Sequence, residues 1–174
     1  MTQTRTATQL TGRMLEIVQQ PNQATLSVVR HDGSVLSVVI WAHPVDGAIT
    51  VNSAAGRAWP DAVQRTGRAT LTFLANGNPN EWLAVETILE GVSTAQARAH
   101  LDALSIKYFG APYGALAHGE QRIVLTLRPR RIQYFTSTTR PERPPAGGAS
   151  FADLMGRFAA QTRRDSAAQR GPRT

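Results

Sequence analysis

The residue types that most often carry side-chain chemistry are sparse in this chain and poorly spaced for it. Cysteine is absent, which removes disulfides, thiol catalysis and thiolate metal sites together. Of the four histidines, the reading places His31 and His43 in turns, His100 on a helix and His118 in a loop. None pairs with another histidine or a carboxylate at metal-ligand spacing, so no metal site is expected. The sequence has no Gly-x-Ser-x-Gly elbow, no P-loop and no Gly-x-Gly-x-x-Gly after a strand. What stands out is a small-residue loop carrying a cation, Asn52-Ser53-Ala54-Ala55-Gly56-Arg57-Ala58-Trp59-Pro60. Small residues let backbone N–H groups approach an anion, and a helix opening at Arg57 adds favourable potential, so the loop suits a phosphate. A flat phosphorylated cofactor fits this pattern, its rings along strand backbone and its phosphate in the loop. Redox enzymes that borrow such a group need little side-chain chemistry of their own.

The elements that must position the loop are mostly strands. Residues 24–30 and 34–42 are β-branched-rich runs separated by His31-Asp32-Gly33, and Asp46-Gly47 leads into a third run at 48–52. Asp-Gly between such runs signals tight hairpins. A short helix is expected over 57–65, with Pro60 tolerable only in its first turn. Residues 68–75 alternate as a half-buried strand, 76–80 form a loop on turn chemistry, and 81–92 form a longer strand bent at Gly91. The spacing predicts a helix over 94–109, capped by Ser93 or Thr94, with Ala97, Leu101, Leu104 and Tyr108 on one face and Gly110 past its end. Strands at 122–127 and 131–135, broken at Pro129, close the body. An amphipathic helix over 8–20, with Leu10, Met14, Ile17 and Val18 on one face and Pro21 as its stop, covers an opening of the core. Six or more strands with close turns and few helices predict a small antiparallel barrel.

At 174 residues and 18.8 kDa, the chain is long enough for one good core, and one domain is expected over residues 1–136. Residues 137–174 are read as a Pro/Gly linker (140–148) and a basic helical tail with Phe151, Leu154, Met155, Phe158 and Ala159 at helical spacing. The net charge of +7 is uneven: from Ser137 onward there are seven arginines against three acids. With no basic stripe interleaved with aromatics, nucleic acid is not expected as the partner. No apolar run approaches membrane-span length and the N-terminus has no apolar core, which predicts a cytoplasmic protein without a secretory signal.

Four segments taken in series resemble the pyridoxamine 5′-phosphate oxidase-like split-barrel superfamily. Residues 57–72 (RAWPDAVQRTGRATLT) resemble its helix-opening motif, and 24–33 (ATLSVVRHDG) its first hairpin. Residues 100–110 (HLDALSIKYFG) and 120–134 (EQRIVLTLRPRRIQY) are similar to the helix signature and closing strands of the branch that uses the deazaflavin coenzyme F420. The resemblance implies a six-stranded antiparallel split β-barrel with flanking helices, mainly β, and a homodimer with two cofactors at its interface. It implies that Ser37, Val38, Val39, Ile40 and Trp41 run beside the ring system through backbone contacts. Asn52, Ser53, Arg57 and Trp59 would surround the phosphate, and Lys107, Tyr108 and Tyr113 would lie near the pocket mouth.

Two departures stand out. Trp59 occupies the place of a lysine in many relatives, and Asp61 with Ala62-Val63 replaces an Arg and an Asn-Leu pair. Fewer cations and an added Asp61 would weaken the hold on a polyanion. The expected activity is hydride transfer between F420 and a small organic substrate, with no side chain singled out as catalytic. FMN as cofactor, or a non-catalytic protein holding a deazaflavin, flavin or haem-derived ligand, is the alternative.

Overall fold

The computed structural model describes residues 2–137 together with positions 152 and 155. The chain divides into two units, Met1–Thr139 and Arg140–Thr174. Apart from Ala152 and Met155, both helical, the expected linker and apolar tail face lie outside the described residues. No helix among the described residues is long and apolar enough to cross a membrane.

The elements run β1 (Thr2–Ala7), α1 (Arg13–Gln19), β2 (Ala24–Val29), β3 (Val35–Ile40), β4 (Ala42–Val45), β5 (Ala48–Ala54), α2 (Ala58–Thr66), β6 (Arg68–Leu74), β7 (Glu81–Ser93), α3 (Ala97–Phe109) and β8 (Arg122–Ser137). All strand pairs are antiparallel, in the order β3-β2-β6-β7-β8-β5-β4, with β1 added to β8. The two end strands of that order, β3 and β4, are consecutive in the chain and separated by Trp41 alone. A sheet whose opposite edges are joined by one residue must curl until those edges nearly meet, since one residue spans at most ~3.6 Å. The result is a mainly β antiparallel barrel left open along one seam, the split barrel that the sequence implied.

Alternation builds the interior. Leu26 and Val28 of β2, Leu71 and Phe73 of β6, Leu83 and Val85 of β7, and Leu125, Leu127 and Ile132 of β8 all belong to one buried cluster. Met14, Ile17 and Val18 of α1 join it, as expected of a helix covering an opening. Strand β5 breaks the alternation and is buried at nearly every position, because α3 lies on its outer face: Asn52 and Thr50 both bond to α3 residues. That placement gives the molecule its cleft.

The turns follow local chemistry. Between β4 and β5, Asp46 (φ 48°) and Gly47 (φ 75°) both adopt the left-handed region, as a two-residue hairpin loop matched to strand twist requires. Arg57 caps α2, Pro60 falls in its first turn, and Gly67 ends it with N–H bonded to Val63 O at 2.8 Å.

Several expectations need correction. The described residues form eight strands, within the six or more that the pattern predicted and two beyond the six that the resemblance implied. The 8–20 segment is a helix only from Arg13, and β1, polar but for Ala7, has no alternation to announce it. The run 34–42 is interrupted at Trp41, where the chain crosses from one sheet edge to the other. The expected break at Pro129 is absent: β8 is continuous because Pro129 sits at a bulge, paired with Thr87 while Glu86 pairs with Arg131. A bulge is where a strand tolerates a residue with no N–H. Helix α3 begins at Ala97 behind Gln96, a left-handed residue without a side-chain cap, while Ser93 Oγ instead accepts from Ala95 N–H.

Candidate functional site

The cleft opens where the barrel seam, the start of α2 and the buried Leu101–Leu104 face of α3 meet, with a volume of about 260 Å³. Its floor is the end of β3 and the crossing residue: Val39, Ile40 and Trp41. Arg57 and Trp59 enter from the start of α2, Asn52 from β5 and Arg122 from the start of β8. Leu101 and Leu104 of α3 and Tyr113 from the following loop complete the wall.

Strand β3 is an end strand of the sheet, so half of its backbone N–H and C=O groups have no neighbouring strand to bond. Those groups can fix a planar heterocycle laid along the strand. Trp41 extends this floor with an aromatic wall. Its ring stacks on Tyr108 (centroids 5.7 Å, 21°) and meets Phe109 and Tyr113 edge-on at 5.2 and 6.1 Å. Tyr113 is held in place by α3 through its backbone: its N–H donates to Asp102 Oδ1 at 3.0 Å and its carbonyl accepts from Arg98 Nη2 at 2.6 Å.

The basic wall is organised around Asn52. Arg122 Nε donates to Asn52 Oδ1 at 2.8 Å, and because a guanidinium can only donate, this fixes which end of the amide is oxygen. Asn52 Nδ2 then donates to Ala97 O at 2.8 Å and to His100 Nδ1 at 3.3 Å. His100 therefore carries its proton on Nε2, which donates to Thr50 Oγ1 at 3.0 Å, and that hydroxyl donates to His43 O at 3.1 Å. Burial pushes the His100 imidazole below its ordinary value, with nearby His43 adding to the effect. Arg122 Nη1 meets Glu120 Oε1 at 2.7 Å. Arg57, exposed at the helix start, lines the same cleft; its carbonyl accepts from Asp61 N–H at 3.3 Å, and its guanidinium makes no hydrogen bond among the described residues.

Of the residues singled out in the sequence, Val39, Ile40, Trp41, Asn52, Arg57, Trp59 and Tyr113 come together in this cleft. Others do not line it. Ser37 Oγ bonds Ser27 Oγ at 2.9 Å on the exposed face of the hairpin, and Val38 packs on the core side. Ser53 follows Asn52 on a strand and so faces the other way, where its buried hydroxyl has no hydrogen-bond partner among the described residues. Lys107 and Tyr108 are fasteners behind the cleft: Lys107 Nζ donates to Val18 O and Ala42 O, and the Tyr108 hydroxyl donates to Asn22 O. The sequence reading missed Leu101, Leu104 and Arg122 as cleft residues. The two leucines were legible as a helix face, but Arg122 carried only the signal of a cation two residues from Glu120 at a strand start.

The chain was compared with known proteins. It matches no family model and no curated protein. Among solved structures it is similar to an F420 reductase, at 18% identity over 67% of this chain and 93% of that one, with a TM-score of 0.62. It is likewise similar to a candidate pyridoxamine 5′-phosphate oxidase from Listeria innocua (18% identity, 72% and 97% covered, TM-score 0.54). A FAD and haem binding protein from Mycobacterium smegmatis also matches (19% identity, 82% of each chain, TM-score 0.53). The fold is thus that of the pyridoxamine 5′-phosphate oxidase-like split barrels.

Proposed function

We propose that this chain binds a phosphorylated flavin-type cofactor in the cleft and acts as an oxidoreductase, with the deazaflavin F420 as the cofactor and a small organic molecule as the substrate. The observation that carries this reading is the union, in one cleft, of a free strand edge (Val39 to Trp41), aromatic walls and two guanidinium groups, Arg57 and Arg122. The donor set suits the group. The exposed backbone edge offers hydrogen bonds to a flat ring system, Trp41 and Trp59 offer π-faces, and the arginines suit a phosphate. The likeness to an F420 reductase favours the deazaflavin over FMN, which is the alternative.

A bound deazaflavin or flavin supplies hydride transfer; the chain supplies orientation and a dry surround. Ile40 and Trp41 would hold the ring system by the free strand edge and the indole face. Leu101 and Leu104 would keep water from it. Arg57 and Arg122 would hold the anionic group. At about 260 Å³, the cleft falls below the range of roughly 300–1,000 Å³ of small-molecule sites, so one chain encloses only part of such a cofactor. Val39 and Phe109, each 65% exposed beside the cleft, offer an apolar rim to a second copy of the chain, and a homodimer completing the site is part of the proposal.

Absorbance and fluorescence titration of the purified protein with F420, FMN, FAD and haem tests the reading. Tightest binding of F420, followed by reduction of a candidate acceptor by the reduced complex, is the expected result. Tighter binding of FMN moves the assignment to the alternative, and binding of none of the four overturns it.

A further inference from the structure

Arg122 is the best-buried cation of the cleft, its side chain 8% exposed, and two of its three nitrogens are already engaged. Nε is bonded to Asn52 Oδ1 at 2.8 Å and Nη1 to Glu120 Oε1 at 2.7 Å. Nη2 forms no hydrogen bond among the described residues and is left to the cleft that Arg122 lines. A guanidinium held at two corners presents its third in a fixed direction, which is the pre-organisation that anion recognition needs.

Glu120 belongs to the same constellation from the other side. Arg122 holds its carboxyl below the ordinary carboxylate range, and the charge of Arg57 contributes to the same effect. Glu120 therefore senses both guanidinium groups of the cleft. It sits on the irregular segment between α3 and β8, in a turn in which its N–H bonds Ala117 O at 3.0 Å. Two cations and one internal carboxylate leave the wall with a net positive charge that an incoming anion can satisfy, but only against the repulsion of Glu120.

We propose that Arg57 and Arg122 form an anion subsite for a phosphate group, and that Glu120 is its internal counter-ion, which orients Arg122 and competes with the ligand. This rests on the cofactor reading above and deepens it: Glu120 sets how tightly the phosphorylated end is held. In the free protein the carboxylate keeps Arg122 neutralised and in register. When phosphate binds, it meets Nη2 of Arg122 already aimed at the cleft together with the guanidinium of Arg57, and the negative charge of Glu120 lowers the affinity.

The discriminating substitution is Glu120→Gln, which keeps an acceptor for Arg122 Nη1 and removes the charge. Calorimetric titration of both proteins with inorganic pyrophosphate, F420, FMN and riboflavin is the measurement, since FMN and riboflavin share their rings and differ by the phosphate. Glu120→Gln is expected to tighten pyrophosphate and FMN about ten-fold at low salt, to leave riboflavin unchanged, and to lose its advantage at high salt. Unchanged or weaker pyrophosphate binding in a variant that unfolds at the same temperature overturns the proposal, and so does a wild-type protein and variant that both ignore pyrophosphate. Tightened pyrophosphate without binding of FMN or F420 upholds the subsite and removes the cofactor reading. Binding of FMN or F420 that ignores Glu120→Gln does the reverse.

Discussion

Lys107 Nζ donates to Ala42 O at 2.6 Å, fastening α3 to the first residue of β4, immediately beyond the single residue that joins the two sheet edges. Its second bond, to Val18 O at 2.7 Å, ties in α1. The neighbouring Tyr108 hydroxyl accepts from Ala42 N–H at 3.2 Å and donates to Asn22 O at 2.9 Å. Two consecutive helix residues thus hold the seam at which the cleft opens. Trp41 is anchored in the floor by the residue after it, whose N–H and C=O are both bonded to α3.

Burial lowers the Lys107 ammonium to about 8, well below its value of ~10.4 in an unfolded chain. Between those two values the unfolded chain carries a proton that the native protein has released, so stability rises with pH across that window. Below about 8 both states hold the proton and this contribution is flat, at its least favourable level. Urea unfolding of wild type and Lys107→Met from neutral to alkaline pH is expected to show an upward slope that the variant lacks. Parallel pH profiles would mean that the native ammonium is not destabilised by its surroundings.

Asn52→Leu removes the acceptor for Arg122 and the donor to Ala97 O and His100 in one step. Stranding these partly buried groups is expected to lower stability by about 2–3 kcal/mol. Denaturant unfolding measures it. A loss below about 0.5 kcal/mol, the range of an ordinary surface change, would show that the amide is not the organiser of the basic wall.

Arg57→Ala takes away one charge-assisted contact to the ligand's phosphate, worth roughly 1.5–3 kcal/mol. Affinity for F420 or FMN should fall about ten- to a hundred-fold, and less at high salt. Stability should change little, since Arg57 is exposed. Fluorescence titration decides it: equal affinity in a folded variant places the phosphate elsewhere.

Association of two copies through the β3 rim is testable by light scattering. The wild type is expected to be a dimer at micromolar concentration, and Val39→Lys, which puts a charge on a residue 65% exposed in the single chain, is expected to shift it to monomer. A wild type that scatters as a monomer removes the second copy from the site.

Much of the fold was legible because its signals are local. The Asp46-Gly47 turn, the β-branched run at 24–30, the alternation along 68–75 and the glycine past the helix end at Gly110 each depend on a handful of neighbouring residues. The errors occurred where a distant partner decided the outcome. Pro129 looked like a strand break because the bulge that accommodates it is a property of its pairing with Thr87. Strand β1 was hidden because its polar residues are ordered by pairing with β8, not by any face of their own. Lys107 and Tyr108 lay on the expected helix, but their partners at Ala42 and Asn22 are more than sixty positions away.

By itself the sequence determined the strand-rich class, the tight hairpins, the absence of thiol chemistry and the small-residue run that carries Arg57. Each of these follows from residue type and short-range spacing. Tertiary structure alone decided that Trp41 bridges the two sheet edges, that Arg122 joins Arg57 in one wall, and that Asn52 and Ser53, read as loop residues, are adjacent on β5 and face opposite ways. The reason is physical: a strand's two faces are assigned by what packs on them. Only the folded chain, with α3 laid over β5, turns Asn52 toward the cleft and buries Ser53 away from it.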